Sequence, residues 1–167
     1  MKKDDAITML TREHAAVKKL FAQEKEATKQ NHAKAHVFEE IKAALEVHAT
    51  IEEEIFYPAV KKARSEQVKD EVREGYEEHK QIKNLLTQIA GITPSDETYD
   101  MKIKVLMEDV VHHVKDEEGE MFPDAKKFLS ESRLMELGAE MAARKENLEK
   151  HPASKPARSE SNAHAAK

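Results

Sequence analysis

Two stretches of the chain carry the residue types and the spacing of a metal centre. One is His48-Ala49-Thr50-Ile51-Glu52 and the other is His113-Val114-Lys115-Asp116-Glu117. Residues i and i+4 lie about 40° apart on one face of a helix, so each stretch can aim one imidazole and one carboxylate at a common point. A lone His-x-x-x-Glu is a frequent accident of helical faces. Here the motif is part of a longer repeat. A shift of 65 residues carries His48 onto His113, Glu52 onto Glu117 and Pro58 onto Pro123. It also carries Glu13-His14 onto Glu78-His79, Val17 onto Ile82, Phe21 onto Leu86, Ile41 onto Leu106 and Leu45 onto Val110. In each copy a histidine lies 34 positions before the His-x-x-x-Glu motif, His14 before His48 and His79 before His113.

These six residues fall on apolar stripes. A single histidine on such a stripe is ordinarily a satisfied core residue. A glutamate is different, because Glu is almost never buried unless it is paired or bound to metal. Four imidazoles and two carboxylates in one core would be costly without a cation. The set contains no sulfur and is too large for one structural zinc. It fits two ions sharing bridging carboxylates, and a nitrogen and oxygen donor set suits iron better than manganese. The repeat suggests a partition in which His14 and His48 hold one ion, His79 and His113 hold the other, and Glu52 and Glu117 bridge them.

Helices must bring these residues to one level. Ile7, Leu10, His14, Val17 and Phe21 recur at helical spacing and predict a first helix from about Asp5 to Lys29. Gln30-Asn31-His32 reads as a turn. A second helix carries Ile41, Leu45, His48, Glu52 and Ile55 on one face, and Pro58 is expected to end or kink it. Ser65 is a plausible N-cap for a third helix with Val68, Val72, Tyr76 or Gly75, His79, Ile82, Leu86 and Ile89 inward. Gly91 suits the position just past its end. Thr93 as N-cap, Pro94 at N1 and Asp96 at N3 predict the start of a fourth helix. Its inward face is Ile103, Leu106, Val110, His113, Glu117 and Met121, with Pro123 breaking it. The histidine pairs straddle the predicted turns symmetrically. Antiparallel packing of consecutive helices therefore places all six residues at one depth, roughly 25 Å from the hairpin ends.

The predicted fold is all-α, an up-down-up-down four-helix bundle over residues 1–130. A fifth amphipathic helix, about Ser132 to Lys150, occupies 131–150, and a disordered tail occupies 151–167. Only four glycines and an Ala, Glu, Lys and Leu-rich composition agree with a helical protein. The chain has no cysteine, which excludes disulfides, thiolate metal sites and cysteine nucleophiles. No run approaches the roughly 18 apolar residues of a membrane span, and Met1-Lys2-Lys3-Asp4-Asp5 lacks a secretory signal, so a cytoplasmic protein without membrane contact is expected. A net charge of −5, mixed along the chain, argues against nucleic acid as the main partner. A monomer or weak homodimer is expected.

Other residues have lesser claims. His112 adjoins His113 but points about 100° away from it. His32, His36, His151 and His164 lie off the level of the site. Glu13, Glu53, Glu78 and Glu118 are candidates to accept imidazole N–H groups, against a default of solvated surface charge. Phe56, Tyr57, Met121 and Phe122 read as packing at the bundle end.

The pattern His14, His48-x-x-x-Glu52, His79 and His113-x-x-x-Glu117 resembles the hemerythrin-like, or HHE cation-binding, family over about residues 5–129. The resemblance implies a bundle holding two non-haem iron ions, carboxylate- or oxo-bridged, that meet dioxygen or related small oxidants. It implies the same ligand partition. Oxygen-carrying hemerythrins have a further histidine on the third helix, four residues before the one matched by His79, where this chain has Gly75. That departure predicts an open position and favours hydrogen peroxide or nitric oxide chemistry, of a catalase-like or peroxidase-like kind, over reversible oxygen carriage. Tyr76 and Tyr57 are possible replacement ligands. The alternative is an iron or oxygen storage or sensing module without turnover.

Overall fold

A computed structural model describes residues 4–27, 31–62 and 65–152. Among the described residues all regular structure is helical. The elements are α1 (Ala6–Glu26), α2 (Asn31–Ile51), α3 (Tyr57–Lys61), α4 (Glu66–Ala90), α5 (Glu97–Asp116), α6 (Phe122–Phe128) and α7 (Glu131–Lys150). One π-helical turn, Glu52–Phe56, joins α2 to α3, and a second, Glu117–Met121, joins α5 to α6. The bundle therefore has four rods: α1, α2 with α3, α4, and α5 with α6.

Pro58 and Pro123 do not end their helices. Each follows a π turn, in which the Tyr57 N–H reaches the Glu52 carbonyl and the Phe122 N–H reaches that of Glu117. In the same register Pro58 would pair with the Glu53 carbonyl, but it has no N–H. The Tyr76 hydroxyl donates to that carbonyl instead, at 3.2 Å. The widened turn also inserts one residue into the helical count. The inward face after Glu52 thus moves from the expected Ile55, which is half-buried, to the fully buried Phe56 and Tyr57.

The helix starts are set by short polar side chains. Asp5 caps α1 by accepting the Thr8 N–H, and Ser65 caps α4 as expected. The cap of α5 is Asp96, which accepts the Thr98 N–H, rather than Thr93. Asp96 also accepts the Thr98 hydroxyl, so the carboxylate offers this turn more than a threonine at position 93 could. Gly91 has φ −88°, an ordinary right-handed value, so its role is not a left-handed cap. His32 is an exposed residue of the first turn of α2, and the turn expected at Gln30 lies outside the described residues. The tail expected beyond His151 falls almost entirely outside them too.

Pairs such as Gln88–Lys102 and His79–His113 show α4 and α5 running antiparallel, and Glu13–His48 places α1 beside α2. Two apolar layers result. Phe21, Ile41, Leu86, Tyr99 and Leu106 lead one of them, toward the hairpin ends. Leu10, Ile51, Phe56, Val72 and Phe122 lead the other, joined by Leu134, Leu137 and Met141 of α7. Gly138 lets α7 close onto the start of α1: a Cβ there would lie 2.8 Å from the Asp5 carbonyl carbon and 2.9 Å from the Ala6 nitrogen, backbone atoms that cannot swing aside. Between the two layers lies a single polar level. No helix among the described residues is long and apolar enough to cross a membrane.

Candidate metal centre

That polar level contains His14, His48, Glu52, His79, His113 and Glu117, all buried. Each helical rod contributes at a position where its apolar stripe continues above and below. His14 Nε2 lies 3.1 Å from His48 Nε2, and His79 Nε2 lies 3.2 Å from His113 Nε2. Glu52 sits between the two pairs, with Oε1 3.3 Å from His48 Nε2 and Oε2 3.1 Å from His79 Nε2. Glu117 meets both pairs through one oxygen, Oε2, 3.2 Å from His14 Nε2 and 3.4 Å from His113 Nε2. The six residues form two groups of four that share both glutamates, and within each group the facing atoms lie within 4.8 Å of one another.

The outer nitrogen of every imidazole is held by a carboxylate. Glu118 meets His14 Nδ1 at 2.9 Å, Glu13 meets His48 Nδ1 at 2.8 Å, Glu53 meets His79 Nδ1 at 2.9 Å and Glu78 meets His113 Nδ1 at 2.6 Å. Four glutamates whose default was solvated surface charge thus have a defined partner. The 65-residue shift explains the pairing, since it turns Glu13–His48 into Glu78–His113 and Glu118–His14 into Glu53–His79. Each pairing crosses between helices, so the spacing along one helix does not reveal it. Lys145 of α7 and Lys83 of α4 add a second tier, donating to Glu13 and Glu53 at 2.8 and 2.7 Å.

With N–H on Nδ1, all four Nε2 atoms present lone pairs inward. There they face Glu52 Oε1 and Oε2 and Glu117 Oε2, which receive no hydrogen bond. A buried cluster in which acceptors face acceptors is unfavourable by itself. Cations between them satisfy every atom at once, so the donor set fits bound metal.

With protons as the only cations, the cluster reaches a compromise. Burial and the neighbouring Glu117 charge push the Glu52 carboxyl well above the usual carboxylate range. Burial acts the same way on Glu117, but the His113 and His14 imidazoles outweigh it and hold that carboxyl well below the range. Burial pushes His48 down to about 4. At His14 and His113 the burial penalty is overcome by the surrounding carboxylates, Glu117 foremost, and both rise above the ordinary histidine value. Metal uptake must expel the protons on Glu52, His14 and His113, so binding tightens as pH rises.

Of the two candidate tyrosines, only Tyr57 reaches the cluster. Its hydroxyl donates to Glu117 Oε1 at 2.6 Å and lies 3.3 Å from His79 Nε2, and its ring stacks on His79. Tyr76 points away, to the Glu53 carbonyl. Burial, with the Glu52 and Glu117 charges, pushes the Tyr57 phenol well above its usual value, so it keeps its proton. The repeat maps Tyr57 onto Phe122, which stacks on His14, and Gly75 onto the buried Leu10. Around the histidine pairs the two halves therefore differ at these two matched positions. Gly75 makes room for a phenol hydroxyl in the His79–His113 half, where the other half has Leu10 and a phenyl ring.

The opening expected at Gly75 is accordingly filled. A Cβ on Gly75 would lie 2.6 Å from the Tyr57 hydroxyl oxygen and 2.9 Å from its Cζ. Gly75→His should overpack this contact at about 1–3 kcal/mol, a loss of roughly 2–10 °C in melting temperature. In a Tyr57→Ala background, where the ring is gone, Gly75→His should cost little further stability. Thermal melts in the two backgrounds check this, and a Gly75→His protein as stable as the parent would contradict the contact.

The profile of the family described as "Hemerythrin HHE cation binding domain" matches residues 5–125. The chain belongs to the hemerythrin HHE cation-binding family. The crystal structure of an HHE cation binding domain-containing protein from Mycobacterium kansasii superposes on it with a TM-score of 0.78 at 25% identity, covering 90% of this chain and 94% of that one. An uncharacterized protein of Mycobacterium tuberculosis strain H37Rv is 27% identical over 149 residues, 89% of each chain. A protein of Nostoc sp. named DNA nickase is 31% identical over 112 residues, 67% of this chain but 31% of that protein, so this HHE domain matches only about a third of its length. The HHE fold thus accounts for the four rods and for a cation-binding cluster at their centre.

Proposed function

We propose that this HHE domain holds two iron ions and reacts with small oxidants, hydrogen peroxide or nitric oxide in preference to reversible carriage of dioxygen. In this reading His14 and His48 hold one ion, His79 and His113 hold the other, and Glu52 and Glu117 lie between them. The observation that carries it is the inward convergence of four imidazole lone pairs and three unpartnered carboxylate oxygens. Two shared glutamates serving two histidine pairs suit two ions better than one, and the absence of sulfur suits iron.

Bound iron supplies the electrons and the exchangeable position that such a small oxidant needs. The chain's own residues do the rest. Glu13, Glu53, Glu78 and Glu118 keep the imidazole protons on Nδ1 and fix the ring orientations. Phe56, Phe122, Ile51 and Leu10 keep bulk water from the level of the centre. Tyr57 places a proton donor 2.6 Å from Glu117 and beside only one histidine pair. A phenol that keeps its proton, held by Glu117 beside one histidine pair, could donate a hydrogen bond or a proton to an oxidant bound there. Tyr57 is also the candidate for an additional ligand, in place of the histidine that Gly75 replaces.

The test is peroxide consumption per bound iron in the parent and in Tyr57→Phe. The parent should consume peroxide in repeated turnovers, and Tyr57→Phe should be about 100-fold slower or more with unchanged iron content, the scale of one general acid–base contribution. A parent that binds two irons yet leaves peroxide and nitric oxide untouched would instead favour a storage or sensing module.

A further inference from the structure

The carboxylate that holds His113 has a second neighbour outside the centre. Glu78 turns Oε2 inward to His113 Nδ1 at 2.6 Å and Oε1 outward toward His112 Nε2 at 3.7 Å. His112 Nε2 also lies 3.2 Å from Asp116 Oδ2, one turn along α5. The facing atoms of Glu78, His112 and Asp116 lie within 4.8 Å of one another. The group is graded in exposure, with the His112 side chain 65% exposed, Asp116 34% and Glu78 14%.

A small cleft between α4 and the second π turn borders both this group and the buried centre: Glu78 and Asp116 line it, and so does Glu117. Glu71, Glu74, Gly75 and Glu120 line it as well. Glu117 is 1% exposed and its Oε2 receives no hydrogen bond. Glu71 Oε2 is likewise buried without a partner. Burial, then the nearby Asp124 and Glu120 charges, pushes the Glu71 carboxyl up. Glu117 thus belongs both to the cleft and to the centre.

We propose that Glu78, His112 and Asp116 form an outer divalent-cation site at the mouth of this cleft, and that ions reach the buried centre through it. One imidazole and two carboxylates, with water completing the shell, suit ferrous iron and similar first-row divalent ions. Three ligands at a half-exposed position hold an ion weakly enough to pass it on. The carboxylates along the cleft raise the local cation concentration, an effect that accelerates association by about 10 to 10³-fold. Glu78 serves both sites, so the outer ion docks against the side chain that orients His113.

This inference rests on the reading that the buried centre binds metal, and one experiment separates the two. Full-length protein stripped of metal is mixed with Co(II), and the visible absorption of bound cobalt is followed in time, with total cobalt measured afterwards. His112→Ala/Asp116→Asn should fill the centre at least about tenfold more slowly than the parent. After desalting strips weakly held ions, the cobalt retained in the centre, the spectrum and the melting temperature should match the parent, and the rate difference should shrink at high salt. Equilibrium dialysis of protein with a filled centre should find one further, weakly held Co(II) in the parent and none in the variant. Filling at the parental rate would overturn the outer site while leaving the centre intact. Slow filling with a lower final content would also overturn it, by showing that these residues support the centre itself. A parent that takes up no cobalt would remove the buried centre and the outer site together.

Discussion

Removing bound metal from the full chain is expected to lower its melting temperature by about 5–15 °C. Ligand held at 100 to 1,000 times its dissociation constant stabilises a fold by about 2.7–4.1 kcal/mol, and each kcal/mol moves the melting temperature of a chain this size by about 2–4 °C. The metal-free protein should still fold, because Leu10, Phe56 and Leu137 on one side of the centre and Phe21, Leu86 and Leu106 on the other form apolar layers that need no ion. The gap should widen as pH rises. His14 and His113 are raised above the ordinary histidine value, so the stability their protonation lends the metal-free fold is present at low pH and lost as pH rises through their folded values. Metal affinity increases over the same window as those protons leave. Calorimetry with and without a chelator, at several pH values, measures both trends. Equal melting temperatures would mean that the six buried side chains hold no metal.

Glu52→Gln should lower metal content without lowering the stability of the metal-free fold. Glu52 is fully buried, belongs to both groups of four, and has two oxygens without a hydrogen bond. An amide cannot bridge cations as a carboxylate does, so iron per chain should fall to one or none. The metal-free variant should melt no lower than the metal-free parent, because burial already favours the protonated Glu52 carboxyl there and the amide is a neutral group of the same shape. Full iron content in Glu52→Gln would remove Glu52 from the centre. A markedly less stable metal-free variant would give it a structural role instead.

The six converging residues were legible in the sequence because the repeat supplied the spacing twice and because a glutamate on an apolar stripe needs an explanation. Antiparallel rods then followed from the symmetric placement of the turns. Three features were not legible, each for a physical reason. The π turns change the helical count by one residue, which counting along an ideal helix cannot anticipate, and so Phe56 and Tyr57 face inward where Ile55 was expected. Glu13, Glu53, Glu78 and Glu118 were visible as candidate acceptors, but which histidine each holds was not, because each pairs with a histidine of another helix, as Glu13 does with His48. The place left by Gly75 is filled by a side chain 18 positions earlier, on the rod alongside, because the π turn aims Tyr57 at it. Pro58 and Pro123 were visible as interruptions, but a proline alone does not say whether a helix stops, bends or takes up a wider turn.

The most direct test of the central claim is the metal content of the full chain produced in iron-rich medium, read together with its visible spectrum before and after peroxide. The centre described here predicts about two irons per chain, with near-ultraviolet and visible absorption of a bridged ferric pair that changes when peroxide is added. One tightly bound zinc per chain, with no iron and no such absorption, would contradict it.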